Sequence, residues 1–315
     1  MYIERGVAMK KIISFIVIII LGISLYFAYN NRMIIIQNID KLMNEPVALT
    51  DKPLYHNDFN FELVKETNDF NVKSRQDFLN IMYTVLNNGM TEFNFYCDPS
   101  YKDCLKDFDS ISKDSVLLGT INNMVSPFNS YDKISFVISN YGKVKVEVTK
   151  LYTDDEIKQI NEKIDEIVKT IDPNLTDREK IEIFHDYIVN NSSYDKENAD
   201  RITNGESITN SSHKAIGPLI EGKGLCSGYS DAMKLYLDRL GIPNYKITNE
   251  NHCWNLVYID GKWLHLDLTW DDPITSTGDN LLLHKFFLIT TDELKNLNVK
   301  SHDFNVEYYN ETEKA

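Results

Sequence analysis

Residues 254–259 and 263–269 are two runs rich in aromatic and branched side chains, separated by a short turn containing Asp260-Gly261. An Asp-Gly pair between such runs specifies a two-residue hairpin, because both central residues must take positive φ. With Asp260 and Gly261 as central residues, Ile259 pairs with Lys262, Trp254 lies opposite Asp267, and His252 lies opposite Thr269. His252 and Asp267 are then diagonal neighbours on one face, about 7–8 Å apart at Cα. An imidazole and a carboxylate can close that gap with a hydrogen bond that fixes the ring tautomer. The other face carries Val257, Ile259, Leu264, Leu266 and Leu268, so it is expected to press into the core. Cys253 falls on that aliphatic face and reads as an inert core thiol. His265 shares the face of Asp267 and reads as a packed histidine, because His252 lies nearer the strand end, where loops meet a site.

Upstream, Gly222, Gly224 and Gly228 surround Cys226, and Met233, Tyr236, Leu237 and Leu240 follow at helical spacing until Gly241, Ile242 and Pro243. Cys226 is therefore expected at a helix N-terminus. Unpaired N–H groups and the helix dipole stabilise a thiolate there, so a pKa of roughly 8.5 can fall to about 7 or below. A thiol so placed, with a His and an Asp on paired strands, is the arrangement for nucleophilic acyl transfer.

The three motifs G-x-C-x-G-Y, H-x-W-N and W-x-x-x-D-x-T-W, in this order, resemble the core of the transglutaminase-like superfamily over roughly residues 176–290. The resemblance implies an α+β fold, papain-like, in which a cysteine on a helix N-terminus packs against an antiparallel sheet. It implies Cys226 as nucleophile, His252 as general base and acid, and Asp267 as the orienting carboxylate. The family contains protein crosslinkers, proteases, amidases and inactive members, so machinery is better defined than substrate. The N–H of Cys226 is one expected oxyanion donor, and no side chain is matched to the second. Trp254, Tyr229 and Trp270 are the candidate substrate-site residues; the indoles of Trp254, Trp263 and Trp270 would supply apolar walls favouring an amine over water. The mechanism requires no cofactor. No C-x-x-C or H-E-x-x-H occurs and the seven histidines are scattered, so no metal is expected.

Residues 12–29 carry no charge and are dominated by Ile, Leu, Val and Phe, with Arg5, Lys10 and Lys11 before them. Eighteen residues at about 1.5 Å each nearly span a bilayer core. The basic flank predicts a cytoplasmic tail (1–11), a transmembrane anchor (12–29) and an extracytoplasmic remainder at the cell membrane. The net charge of -14 disfavours nucleic acid as a partner. Protein or peptide substrates, cell-wall peptides among them, and the membrane are the expected partners, and the Ile-, Asn- and Lys-rich composition suggests a bacterial source.

Residues 30–56, with Pro46 and Pro53, read as a linker. Residues 57–153 read as a small accessory α+β domain, with a helix capped by Ser74 and strands over 91–96, 134–139 and 144–148. The catalytic domain is expected over 154–315. Thr153 and Thr176 each open a helix through a capping box with Glu156 and Glu179. His185 and Asp186 on the second helix read as structural, and residues 190–213 as a polar loop near the site. Cys97 and Cys104, with Asp98-Pro99 between them, are close enough in sequence for a disulfide.

Overall fold

The computed structural model describes residues 2–43, 49, 61–64, 70–274, 281–309 and 312. Helix α1 (Tyr2–Asn30) is followed after one residue by α2 (Arg32–Met43). Among the described residues one segment, Met9–Asn30 within α1, is long and apolar enough to cross a membrane, and none of it is buried in the protein. The first part of the expected linker is thus helical: Gln37 of α2 is buried and donates to the carbonyls of Cys97 (3.0 Å) and Tyr141 (2.7 Å). The expectation for Pro46 and Pro53 lies outside the described residues.

The accessory region runs β1 (Asn71–Val72), α3 (Arg75–Asn87), β2 (Glu92–Cys97), α4 (Cys104–Ser112), α5 (Ser115–Asn123), β3 (Tyr131–Ile138) and β4 (Lys143–Lys150). Its strands form one sheet in the order β1-β2-β4-β3. Ser74 caps α3 by accepting from the Asp77 N–H, the local hydrogen bond that makes Ser favourable before a helix. Cys97, ending β2, is joined to Cys104, opening α4, by a disulfide with a Cα separation of 5.8 Å.

Both Thr-x-x-Glu capping boxes are present, opening α6 (Asp154–Thr170) and α7 (Asp177–Asn191). After β5 (Ser193–Tyr194), residues expected as loop contain α8 (Lys196–Thr203), which buries no side chain and so left no apolar stripe to read. Then come β6 (Lys223–Gly224), α9 (Cys226–Leu240), β7 (Asn244–Thr248), β8 (Cys253–Ile259), β9 (Lys262–Leu266), α10 (Leu268–Asp271) and α11 (Thr291–Asn296). Asp260 and Gly261 have φ of 54° and 78°, and Ile259 pairs with Lys262 in register. Strand β9 ends at Leu266, three residues short of the expected end, because Asp267 accepts from the N–H groups of Thr269 and Trp270 and turns the chain into α10.

The β7-β8-β9 sheet is antiparallel and buried on both faces. Val257, Ile259, Leu264 and Leu266 pack in one cluster with Ala232, Met233 and Tyr236 of α9. Tyr245, Ile247, Trp254, Leu256 and Trp263 belong to the same cluster as Phe78, Phe95 and Phe108 of the accessory region. Each such large apolar side chain contributes about 1.5–3 kcal/mol on burial. The accessory region therefore covers the sheet face opposite α9.

Candidate active site

Cys226 is the first residue of α9 and is half-buried. Two glycines set its position. A Cβ on Gly228 would stand 2.4 Å from the Ser212 carbonyl oxygen, and one on Gly224 would stand 2.7 Å from the Tyr229 ring. No real Cβ tolerates the first contact, so the helix start is pressed against the 211–214 turn only because Gly228 lacks a side chain.

The thiol of Cys253, first residue of β8, donates to the Cys226 sulfur and holds the Cys226 thiol below its ordinary value. Burial opposes this, and the N–H groups of Cys253 and Ser227 assist it. The same contact, with burial, pushes the Cys253 thiol well up. Cys253 thus does more than fill the core. It lies on the aliphatic face as the hairpin register requires, but that face meets the N-terminus of α9, and Ser230 Oγ lies 3.4 Å from its sulfur. Asn255 Nδ2 donates to the Ser230 carbonyl at 2.9 Å and fastens β8 to the first turn of α9.

His252 precedes β8 and is held by an Asx turn: Asn249 Oδ1 accepts from the N–H groups of Asn251 and His252, both at 2.9 Å. Its Nε2 lies 2.6 Å from Asp267 Oδ2, and both side chains are buried. Burial works against the charged ring, but the Asp267 carboxylate outweighs it and raises the His252 pKa. Burial alone would raise the Asp267 carboxyl; the charge and hydrogen bonds of His252, then of His302, hold it far below the carboxylate range.

His302 was not among the residues singled out from the sequence. Its Nε2 meets Asp267 Oδ2 at 2.7 Å from a short helical turn over Lys300–His302, and its ring stacks on Phe286 at 4.9 Å. Asn249 Nδ2 donates to the carbonyls of Ser301 and Asp303, both at 2.7 Å, so one asparagine positions both histidine-bearing loops. Only Asn249 carried a readable signal, as a turn-forming residue three before His252.

His265 is enclosed: Trp254 Nε1 donates to its Nδ1 at 3.0 Å and its Nε2 meets Thr291 Oγ1 at 3.0 Å. Burial, with repulsion from His302 and Lys295, pushes its pKa down to about 3. It is a neutral ring bonded at both nitrogens. Trp254 and Tyr229, expected at the substrate site, are both buried; the Tyr229 hydroxyl donates to Asp272 Oδ2 and accepts from Ser192 Oγ. Their hydrogen bonds draw them into the packing. Trp270 is 39% exposed and meets the His252 ring edge-on at 6.4 Å. Tyr194, also missed, pairs with Gly224 beside Cys226. Burial, followed by the charges of Cys226 and Cys253, pushes its phenol up to about 12, so it keeps its proton as a donor.

Residues 163–268 match the family model of the transglutaminase-like superfamily, and this part of the chain is a transglutaminase-like domain. Among solved structures the chain is similar to one described as a TGase, at 16% identity and TM-score 0.34, over 65% of this chain and 60% of that one. It is also similar to a candidate cysteine protease from Cytophaga hutchinsonii, at 18% identity and TM-score 0.27, over 44% of this chain and 61% of that one. The chain thus spans about three fifths of the length of each. A search of curated proteins found no match.

Proposed function

We propose that the chain is a membrane-anchored, extracytoplasmic cysteine acyltransferase acting on protein or peptide amides, cell-wall peptides included. The observation that carries this reading is the buried 2.6 Å hydrogen bond between His252 Nε2 and Asp267 Oδ2. In this reading Nδ1 of the ring so oriented takes the proton of the Cys226 thiol, which is held below its ordinary pKa. Cys226 Sγ attacks the amide carbon, and the negative charge gathers on the carbonyl oxygen. The N–H of Cys226 and the Tyr194 hydroxyl are the proposed donors to it. His252 Nδ1 passes its proton to the departing ammonia or amine, leaving a thioester. An incoming amine then gives a proton to His252 as it attacks, and the thiolate leaves.

Two further observations support the location. Helix α1 is long and apolar enough to cross a membrane, and the Cys97–Cys104 disulfide fits an oxidising compartment. Protease added outside cells stripped of wall should degrade everything after Asn30; recovery of full-length protein from the soluble cytoplasm rejects the anchor.

A second reading, hydrolysis, is favoured by the burial of Trp254 and Trp263, which leaves Trp270 as the exposed indole beside the site. The assay gives the protein a glutamine-containing protein or a wall peptide together with a labelled primary amine. Label incorporated only when Cys226 is present supports transamidation, and cleavage without label supports the hydrolase. Neither reaction, with Cys226 still alkylated by iodoacetamide at pH 6, rejects both in favour of a binding module that keeps the fold.

A further inference from the structure

Next to Asp271, the last residue of α10, a second group of imidazoles and carboxylates comes together. Glu182, His185 and Asp186 fall at helical positions i, i+3 and i+4 of α7, which places them on one face. His284 arrives there from the segment after α10, 98 residues from Asp186 in sequence, and its Nε2 meets Asp186 Oδ1 at 2.7 Å. His185 Nδ1 lies 2.9 Å from the same oxygen, and Glu182 Oε1 lies 3.9 Å from His284 Nε2. One ligand atom from each of His185, Asp186 and His284 lies within 4.8 Å of the others.

The burial of His185 sets this group apart from a surface ion-pair cluster. The ring is completely buried, and its Nε2 faces the equally buried Asp271 Oδ2 at 3.2 Å while Nδ1 faces Asp186. A metal ion bound at Nδ1 would leave the one ring proton on Nε2. Nε2–H then donates to Asp271, the carboxylate–histidine support that metal-bound imidazoles carry. Tetrahedral zinc sets its donors about 3.3 Å apart, so the pairs at 2.7 and 2.9 Å need only open slightly once the shared protons leave.

We infer that His185 Nδ1, Asp186 and His284 Nε2 form a binding site for a divalent transition-metal ion of zinc type, with Glu182 as the fourth ligand. Two imidazole nitrogens with carboxylate oxygens suit zinc over calcium, which takes six to eight oxygens. The ion would join α7 to the segment bearing His284. Through His185 and Asp271 it would also brace α10, whose N-cap is Asp267. This role is structural and independent of the thiol chemistry.

The test uses the full chain in detergent, treated with chelator and desalted, then titrated with Co²⁺ and separately with Zn²⁺. One equivalent of Co²⁺ should give the visible ligand-field bands of a tetrahedral site, and Zn²⁺ should raise the Tm. His284→Ala and Asp186→Asn alter partly exposed positions, and each should weaken binding at least tenfold with the circular dichroism unchanged. Cys226→Ala should bind as the parent does. A Tm insensitive to Zn²⁺, Co²⁺ uptake kept by both ligand variants, or uptake lost with Cys226→Ala would overturn the inference; the last would move the ion to the thiol.

Discussion

His302 donates to the same Asp267 oxygen that receives His252, at 2.7 Å against 2.6 Å. The other carboxylate oxygen accepts from the N–H groups of Thr269 and Trp270. Every lone-pair direction is therefore used, and the carboxylate cannot swing away from His252. His302 acts as a positioning residue. Asp267→Asn is expected to lower kcat by about 10³–10⁴, through the wrong ring tautomer. His302→Phe, which keeps the stack on Phe286, should lower kcat by roughly tenfold and leave KM unchanged. Steady-state kinetics on a substrate identified by the labelled-amine assay decides this; equal losses in both variants would make His302 indispensable rather than supporting.

Cys253 should tune its neighbour. The Cys253 hydrogen bond is the largest influence holding the Cys226 thiol down, so Cys253→Ala should raise the Cys226 pKa. Iodoacetamide alkylation measured from pH 4 to 9 reads the shift directly. A midpoint that stays in place would return Cys253 to a packing role.

The site should work across a window of pH. The Cys226 thiol is held down, so acid should silence the proposed reaction only once pH falls below that lowered value. His252 is held up by Asp267, so its proton is retained past the ordinary histidine range and lost only as pH rises through the raised value. A bell-shaped kcat/KM profile should follow. The folding contribution has a matching sign: the His252–Asp267 pair stabilises fully between about 3.9 and about 6.5, and declines as pH rises through the folded His252 value or falls through the lowered Asp267 value. Asp267→Asn should remove the alkaline limb's upward shift.

Helix α9, which carries the proposed nucleophile Cys226, is held by a buried charge pair. Lys246 of β7 meets Asp231 of α9 at 2.5 Å, and Tyr152 donates to the other Asp231 oxygen at 2.6 Å. Burial would discharge Lys246, but Asp231 outweighs it and keeps the amine charged. Asp231→Ala leaves that charge stranded and should cost about 3–5 kcal/mol in denaturant unfolding. Lys246→Met in the same chain should recover most of the loss.

The hairpin register and the pairing of His252 with Asp267 were legible because Asp260-Gly261 permits one turn and one offset. The helix starts were legible because Ser74, Thr153 and Thr176 cap within four residues. His302 was not, since its partner is 35 residues away and no periodicity links them. Cys253 was placed on the correct face, but a face assignment does not say what lies across it. Asp231 and Lys246 each sit among apolar residues with nothing local to announce the pair. Contacts set by tertiary packing leave no trace in a short window of sequence.

The attachment of α2 governs reach. The Asn31 N–H bonds to Phe27 O and the Ile35 N–H to Asn31 O, so hydrogen bonds bridge the turn at Asn31 between α1 and α2. Beyond Asn30, α2 is fastened to the accessory sheet by Gln37, and by Asp40 to Lys143 and Tyr96. With α1 in a bilayer, the thirteen residues to Met43 form a strut about 20 Å long. The nucleophile would then be carried at a set height above the lipid, so targets would be chosen by how far they stand from the surface as well as by their chemistry.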